Sequence, residues 1–415
     1  MAKLTTLENG LRVVTEAMPG RRIASVGFWT LGGSAREPRR NAGIAHLLEH
    51  MLFKGTGRRS AFQIAAALDA VGGDLNAFTE REYSCLHCTV LGDHVSLALD
   101  VMTDMLFNSA IAPEELQTER AVVLEEIAEY EDSPDEIVHD EAMRLLWPTH
   151  PLGEAVHGSK RSVMRTTRED LIAYRDRWYS PEALVLAAAG DITHERLVEL
   201  VQRSGLGNGQ PAPRLTRRPP KLSRGCRILP RDIEQAHLCF AVPAASRRDE
   251  SRYVDSVLAA ALGAAPSSRL FQQIRERRGL AYNVGAFHMP CAEAGILGVY
   301  AGTLPGKLGR VARLLSREVQ RLCRSGVATR EVERVKSFMI ASVRMAQDSP
   351  TSEAQRLGHS LVHHGRVIAP EATVRRLREV TPEAVTSRAR ELFAEGFWVK
   401  AFAGRVEERQ VMNAE

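Results

Sequence analysis

With 415 residues, 44% of them hydrophobic and 26% charged, the chain is too long for one hydrophobic core and too apolar for a disordered polymer, so two or more globular domains are expected. Its 55 basic residues exceed the 51 acidic ones by four, which gives no electrostatic case for nucleic acid or an anionic membrane as partner. The opening "MAKLTTLENGLRVVTEAMPG" lacks the apolar core of a secretory signal, and no later run reaches the roughly 18 apolar residues of a spanning helix, so a cytoplasmic protein is expected.

In chain order, "LENGLRVV" reads as a hairpin with Asn9-Gly10 in its turn, and "IASVGFWTLGG" as a strand. Next comes "HLLEHMLFKGT", residues 46 to 56. On a helix each residue turns about 100°, so His46 and His50 lie about 40° apart on one face, with Glu49 about 60° to the other side of His46. Two imidazoles and a carboxylate in one arc suit a zinc ion, in the inverse order of the His-Glu-x-x-His pattern that this chain lacks. The same spacing also suits a plain polar helix face. Zinc catalysis needs a third protein ligand and a fourth position left for water.

"SAFQIAAALDAVG" is an amphipathic helix, and "LNAFTEREYSCLHCTVL", after Gly72-Gly73, is extended. An exposed edge in that run would let an extended peptide add as a strand. Cys85 and Cys88 form a CxxC inside the extended run rather than at a helix start, and the six cysteines are irregularly spaced, so they read as reduced thiols without a disulfide framework. Residues 93 to 147 are mostly helical. Within "TERAVVLEEIAEYED", Glu119 and Glu126 stand two turns apart on one face, and Glu125 is turned by about 100° from Glu126. The residues alone leave open whether Glu125 or Glu126 reaches a metal, or whether the stretch is a solvated acidic face.

Residues 204 to 224, rich in proline, glycine and basic residues, form a linker between an N-terminal domain at 1–203 and a C-terminal domain at 225–415. The flanks look duplicated. A capped helix begins at Thr167 and a strand ends at Gly190 in the first half; their counterparts begin at Thr381 and end at Gly404, both 214 residues on. Nearer the starts, Trp29 matches Phe240 at an offset of 211. Strands and helices mixed without regular alternation predict an α+β fold of two homologous α/β-sandwich-like domains, an internal duplication joined by a linker. His359 and His363 also have i, i+4 spacing but no intervening glutamate, and read as helix surface or interface.

Taken together, "HLLEHMLFKGT", "GGDLNAFTEREY", "ERAVVLEEIAEYEDSP", "HPLG" at 150 to 153 and "SSRLFQQIRERRGLAY" closely resemble the inverted-motif zinc peptidases, the family of pitrilysin, insulysin and the mitochondrial processing peptidase. The resemblance runs through nearly the whole chain in the expected order. It implies a zinc-dependent endopeptidase acting on oligopeptides or extended protein segments, with one zinc per chain. Counting 76 residues from His50, as in that family, gives Glu126, which also closes the E-R-x-x-x-x-x-E pattern begun at Glu119. The resemblance thus implies His46, His50 and Glu126 as ligands, Glu49 as general base and Glu119 as a supporting carboxylate.

It further places Asn76 and Ala77 beside the scissile bond, and Arg275 and Tyr282 on substrate and oxyanion from the C-terminal, non-metal domain. "GAAPSSRL" departs from the glycine-rich run usual at that point and predicts a stiffer turn. Relatives of this length pair up so that one subunit's metal domain faces the other's second domain, which implies a homodimer, or a heterodimer with an inert homologue. The competing class is a scaffold subunit that keeps the fold without metal; the intact His46, Glu49, His50 and Glu126 argue against it.

Overall fold

The computed structural model describes residues 2–204, 206, 211–213, 218–408 and 410, so the expected linker at 204–224 lies partly outside the described residues. Two sheets organise the chain. In the first, β1 (Lys3–Thr6), β2 (Arg12–Ala17), β3 (Ile23–Thr30), β4 (Asp74–Thr79), β5 (Ser84–Leu91) and β6 (Leu184–Gly190) lie in the order β1-β2-β6-β3-β5-β4. In the second, β7 (Gly225–Pro230), β8 (Ala236–Ala244), β9 (Ala281–Pro290), β10 (Gly295–Thr303) and β11 (Val399–Gly404) lie in the order β7-β11-β8-β10-β9. Without β1 the two orders match strand for strand, including the parallel pairs β2 with β6 and β7 with β11. The duplication is therefore one of topology as well as sequence.

Local chemistry explains the shared landmarks. Gly10 takes φ 85° in the first hairpin, a backbone conformation that glycine adopts without steric cost, and Asn9 Oδ1 accepts the Leu11 N–H at 3.2 Å. Thr167 caps helix Arg168–Trp178 in a reciprocal box with Asp170, and Thr381 caps helix Pro382–Leu392. The extended run after Gly73 splits into the antiparallel pair β4 and β5.

Register corrects one alignment. Ser25 sits opposite Ala189, and His237 sits opposite Ala403, which is Ala189 displaced by 214; the matching offset for β3 and β8 is thus 237 − 25 = 212. Phe28, not Trp29, is the counterpart of Phe240. The one-residue slip changes faces. Phe28 joins the first sheet's main core and Phe240 the second's, whereas Trp29 packs on the opposite face with Leu357, Leu361 and Val362.

That opposite face exposes a feature the linear reading missed. The chain forms two compact units, but Val343–Ala369 belongs with the first sheet and Ala128–Glu154 with the second. Helix Pro350–His364 packs on β2, β3 and β6, and helix Pro134–Leu146 on β8 and β11. Both follow an Asp-Ser-Pro, at 132–134 and 348–350, with Ser133 and Ser349 at the caps. A division at 204–224 does not follow these units, since each half lends one helix to the other's sheet.

His359 and His363 lie on the lent helix, stacked at 5.7 Å, with the His359 ring 5.0 Å from that of Trp29. His363 is buried rather than a surface residue, because this helix is a lid on the sheet and not an outer layer. Gly358 lets the helix approach: a Cβ there would meet Trp29 Cε2 at 2.3 Å. Gly358→Ala gains about 1 kcal/mol in helix propensity but overpacks a fully buried ring, which costs about 3 kcal/mol. The expected result is a lower urea midpoint with unchanged slope.

Candidate metal centre

The histidine helix, Ile44–Leu52, is laid down by its apolar residues. Ile44, Leu47, Leu48, Met51 and Leu52 are buried in the first core, a stripe at i, i+3, i+4, i+7 and i+8. His46, Glu49 and His50 occupy the other side by default. Its start is fixed from outside the helix: Glu37 accepts the Gly43 and Ala45 N–H groups at 2.7 and 2.8 Å. Burial pushes the Glu37 carboxyl up to about 8 against those two hydrogen bonds. Gly43, at φ 91°, lies so close to His157 that a Cβ would be 2.3 Å from its carbonyl oxygen. Glu37 stands six residues before Gly43, outside capping spacing, and sequence reading had no signal for it.

The second wall is the helix Pro113–Glu131, which presents Glu119 and Glu126 two turns apart. Donor atoms of His46, His50 and Glu126 all lie within 4.8 Å of one another, and among the described residues this is the one such trio. Glu126 Oε2 is 3.8 Å from His46 Nε2 and 3.5 Å from His50 Nε2. Glu119 Oε2 is 3.1 Å from His50 Nδ1, and Glu125 is exposed outside the cluster. Lys54 Nζ, which sequence reading passed over inside the "FKGT" segment, is 2.7 Å from Glu119 Oε1.

The electrostatics suit a cation. Burial, with His50 and His157 nearby, pushes the His46 imidazole down to about 3, which leaves it neutral with a lone pair to give. Burial also pushes the Glu49 carboxyl up, against the Thr79 hydroxyl and His50 and with help from Glu126. Glu49 Oε2 is buried without a hydrogen-bond partner. Two imidazoles, one carboxylate and an unsatisfied carboxylate oxygen beside them fit zinc and a reacting water better than a closed structural site.

Asn76 and Ala77 lie on β4, the edge strand of this sheet, opposite His87 and Leu86. The Ala77 N–H is taken up by Asn76 Oδ1 at 2.8 Å. Arg275 and Tyr282 belong to the second unit, on the π-helical segment Phe271–Glu276 and at the start of edge strand β9. The Arg275 guanidinium lies 4.8 Å from the centroid of the Tyr282 ring, which is 71% exposed. Cys85 and Cys88 are buried in β5, in cores on opposite faces of the sheet, and cannot share a metal. No described helix is long and apolar enough to cross a membrane.

Comparison with known proteins gives the family of the chain. Residues 12–160 match the family described as Insulinase (Peptidase family M16), and residues 165–339 match the Peptidase M16 inactive domain. The chain is 39% identical to an "uncharacterized zinc protease" of Mycobacterium tuberculosis over 90% of this chain and 87% of that protein. It is 35% identical to the zinc protease YmxG of Bacillus subtilis over 96% of this chain and 97% of the relative. A crystal structure of a peptidase M16 inactive domain from Pseudomonas fluorescens superposes with a TM-score of 0.90 at 20% identity, covering 97% of this chain and 98% of that one. A protease from Helicobacter pylori gives 0.89 at 18% identity, covering 97% and 99%. At those identities the two structures speak to fold alone.

Proposed function

Because the chain belongs to the insulinase family of zinc peptidases, peptidase family M16, and is a hydrolase acting on peptide bonds, we propose that it is an endopeptidase of oligopeptides and extended protein segments. One zinc per chain would be held by His46, His50 and Glu126. The observation that carries the reading is the convergence of those three donors within 4.8 Å beside the unpartnered Oε2 of Glu49. Zinc in such a site supplies a Lewis acid that makes water a nucleophile near neutral pH.

The chain's own residues do the rest. Glu49 Oε2 takes the proton of the attacking water and returns it to the leaving amine. Glu119 holds His50 through Nδ1, so that Nε2 is the ligating nitrogen. An extended substrate pairs with the free side of β4 at Asn76 and Ala77, where backbone pairing gives affinity with loose sequence preference. Arg275 and Tyr282 present a guanidinium and a phenol to the substrate and the developing oxyanion. Because both sets sit in one chain, the working form is a cytoplasmic homodimer in which subunits complete each other's sites; pairing with an inactive homologue is the variant of this reading.

Purified protein should hold close to one zinc per chain and hydrolyse a quenched-fluorescent peptide. A chelator should remove both together, and zinc should restore both. A folded, metal-free chain without hydrolysis would instead identify a scaffold.

A further inference from the structure

We propose that Lys54 is a positioning residue for His50, acting through Glu119, an inference that rests on the zinc reading above. Glu119 is buried, with 3% of its side chain exposed, and its two oxygens have separate partners: Lys54 Nζ at 2.7 Å on Oε1 and His50 Nδ1 at 3.1 Å on Oε2. A carboxylate held by one oxygen still turns about its last carbon–carbon bond. Held by both, its plane is fixed, and with it the direction from which Oε2 meets the imidazole. The ring of His50 then keeps Nε2 toward Glu126, 3.5 Å away. Outer partners of this kind orient a metal-binding histidine and set its affinity.

The chain delivers both partners from one turn. The histidine helix ends at Leu52, and the Lys54 N–H still bonds the Met51 carbonyl at 3.3 Å, so the ammonium stem leaves from the turn that carries His50. Glu119 comes from a separate helix, held at Arg120 by a hydrogen bond to the Thr166 carbonyl. Lys54 therefore ties the helix bearing two ligands to the helix bearing the third. An exposed lysine gains little from one carboxylate, but only 32% of this side chain is exposed and its partner is buried.

The test reads zinc affinity of the metal-free chain by competition with a chromophoric chelator at fixed pH. Lys54→Met should weaken zinc about 10- to 100-fold, the usual effect of losing an outer partner, and Lys54→Arg should recover most of it. In a Glu119→Gln background, Lys54→Met should change nothing further, because the path runs through Glu119. Lys54→Gln serves if the methionine variant does not fold, and the melting temperature of each metal-free chain separates lost stability from lost affinity. Affinity within about twofold of wild type, or an equal further loss without Glu119, overturns the proposal. A wild-type chain that binds no zinc overturns the parent reading instead.

Discussion

Glu49→Gln should leave zinc in place and lower kcat by about 10² to 10⁴, the range that a positioned acid–base group contributes. The substitution changes one atom of a carboxylate whose Oε2 is buried without a partner and whose pKa is raised by burial. The amide keeps shape and cannot take a proton. His46, His50 and Glu126 are untouched, so metal content should stay at the wild-type value and KM should move little. Activity near wild type in the zinc-loaded variant would remove Glu49 from the mechanism. The same variant tests the dimer: mixed with a Tyr282→Phe chain under conditions of subunit exchange, it should regain part of the activity if a complete site draws on two chains. Confirmed exchange without recovery would confine each site to one chain.

How much of this was legible in the sequence depended on distance along the chain. His46, Glu49 and His50 share one helical turn, so spacing alone put them in one arc. Glu126 is a tertiary partner, and the residues could not choose it over Glu125; family spacing chose it, and the donors that lie together are those of His46, His50 and Glu126, with Glu125 exposed outside them. Lys54 and Glu37 carry no periodic or capping signal, since each reaches its partner through folded space. Trp29 shows a subtler limit. Matching aromatic residues gave an offset of 211, whereas hydrogen-bond register gives 212, and in a strand that single residue decides which layer a side chain joins.

The lent helices were harder still. The apolar stripe of Pro350–His364 announces a buried face, but nothing in a periodic pattern says which sheet covers it. The repeated Asp-Ser-Pro marks the two helices as equivalents without revealing where either goes.

Their placement makes a strong prediction about the halves. A fragment of residues 1–204 retains β1 to β6 and all the proposed zinc ligands, yet lacks helix Pro350–His364. In the whole chain that helix buries six large side chains in one cluster: Val14, Trp29 and Val185 beneath Leu357, Leu361 and Val362. At roughly 1.5 to 3 kcal/mol for each large apolar side chain buried, the cluster contributes about 9 to 18 kcal/mol as an upper estimate, comparable with the stability of an entire domain. The fragment alone should therefore be insoluble or melt without cooperativity, and should not hold zinc tightly. A fragment of residues 218–415 lacks helix Pro134–Leu146 over β8 and β11 and should fare no better. Expressed together, the two should return a soluble complex with cooperative melting and wild-type zinc content, because each supplies the helix the other needs. Cooperative folding and zinc binding by residues 1–204 alone would show that the first core closes without its lent helix.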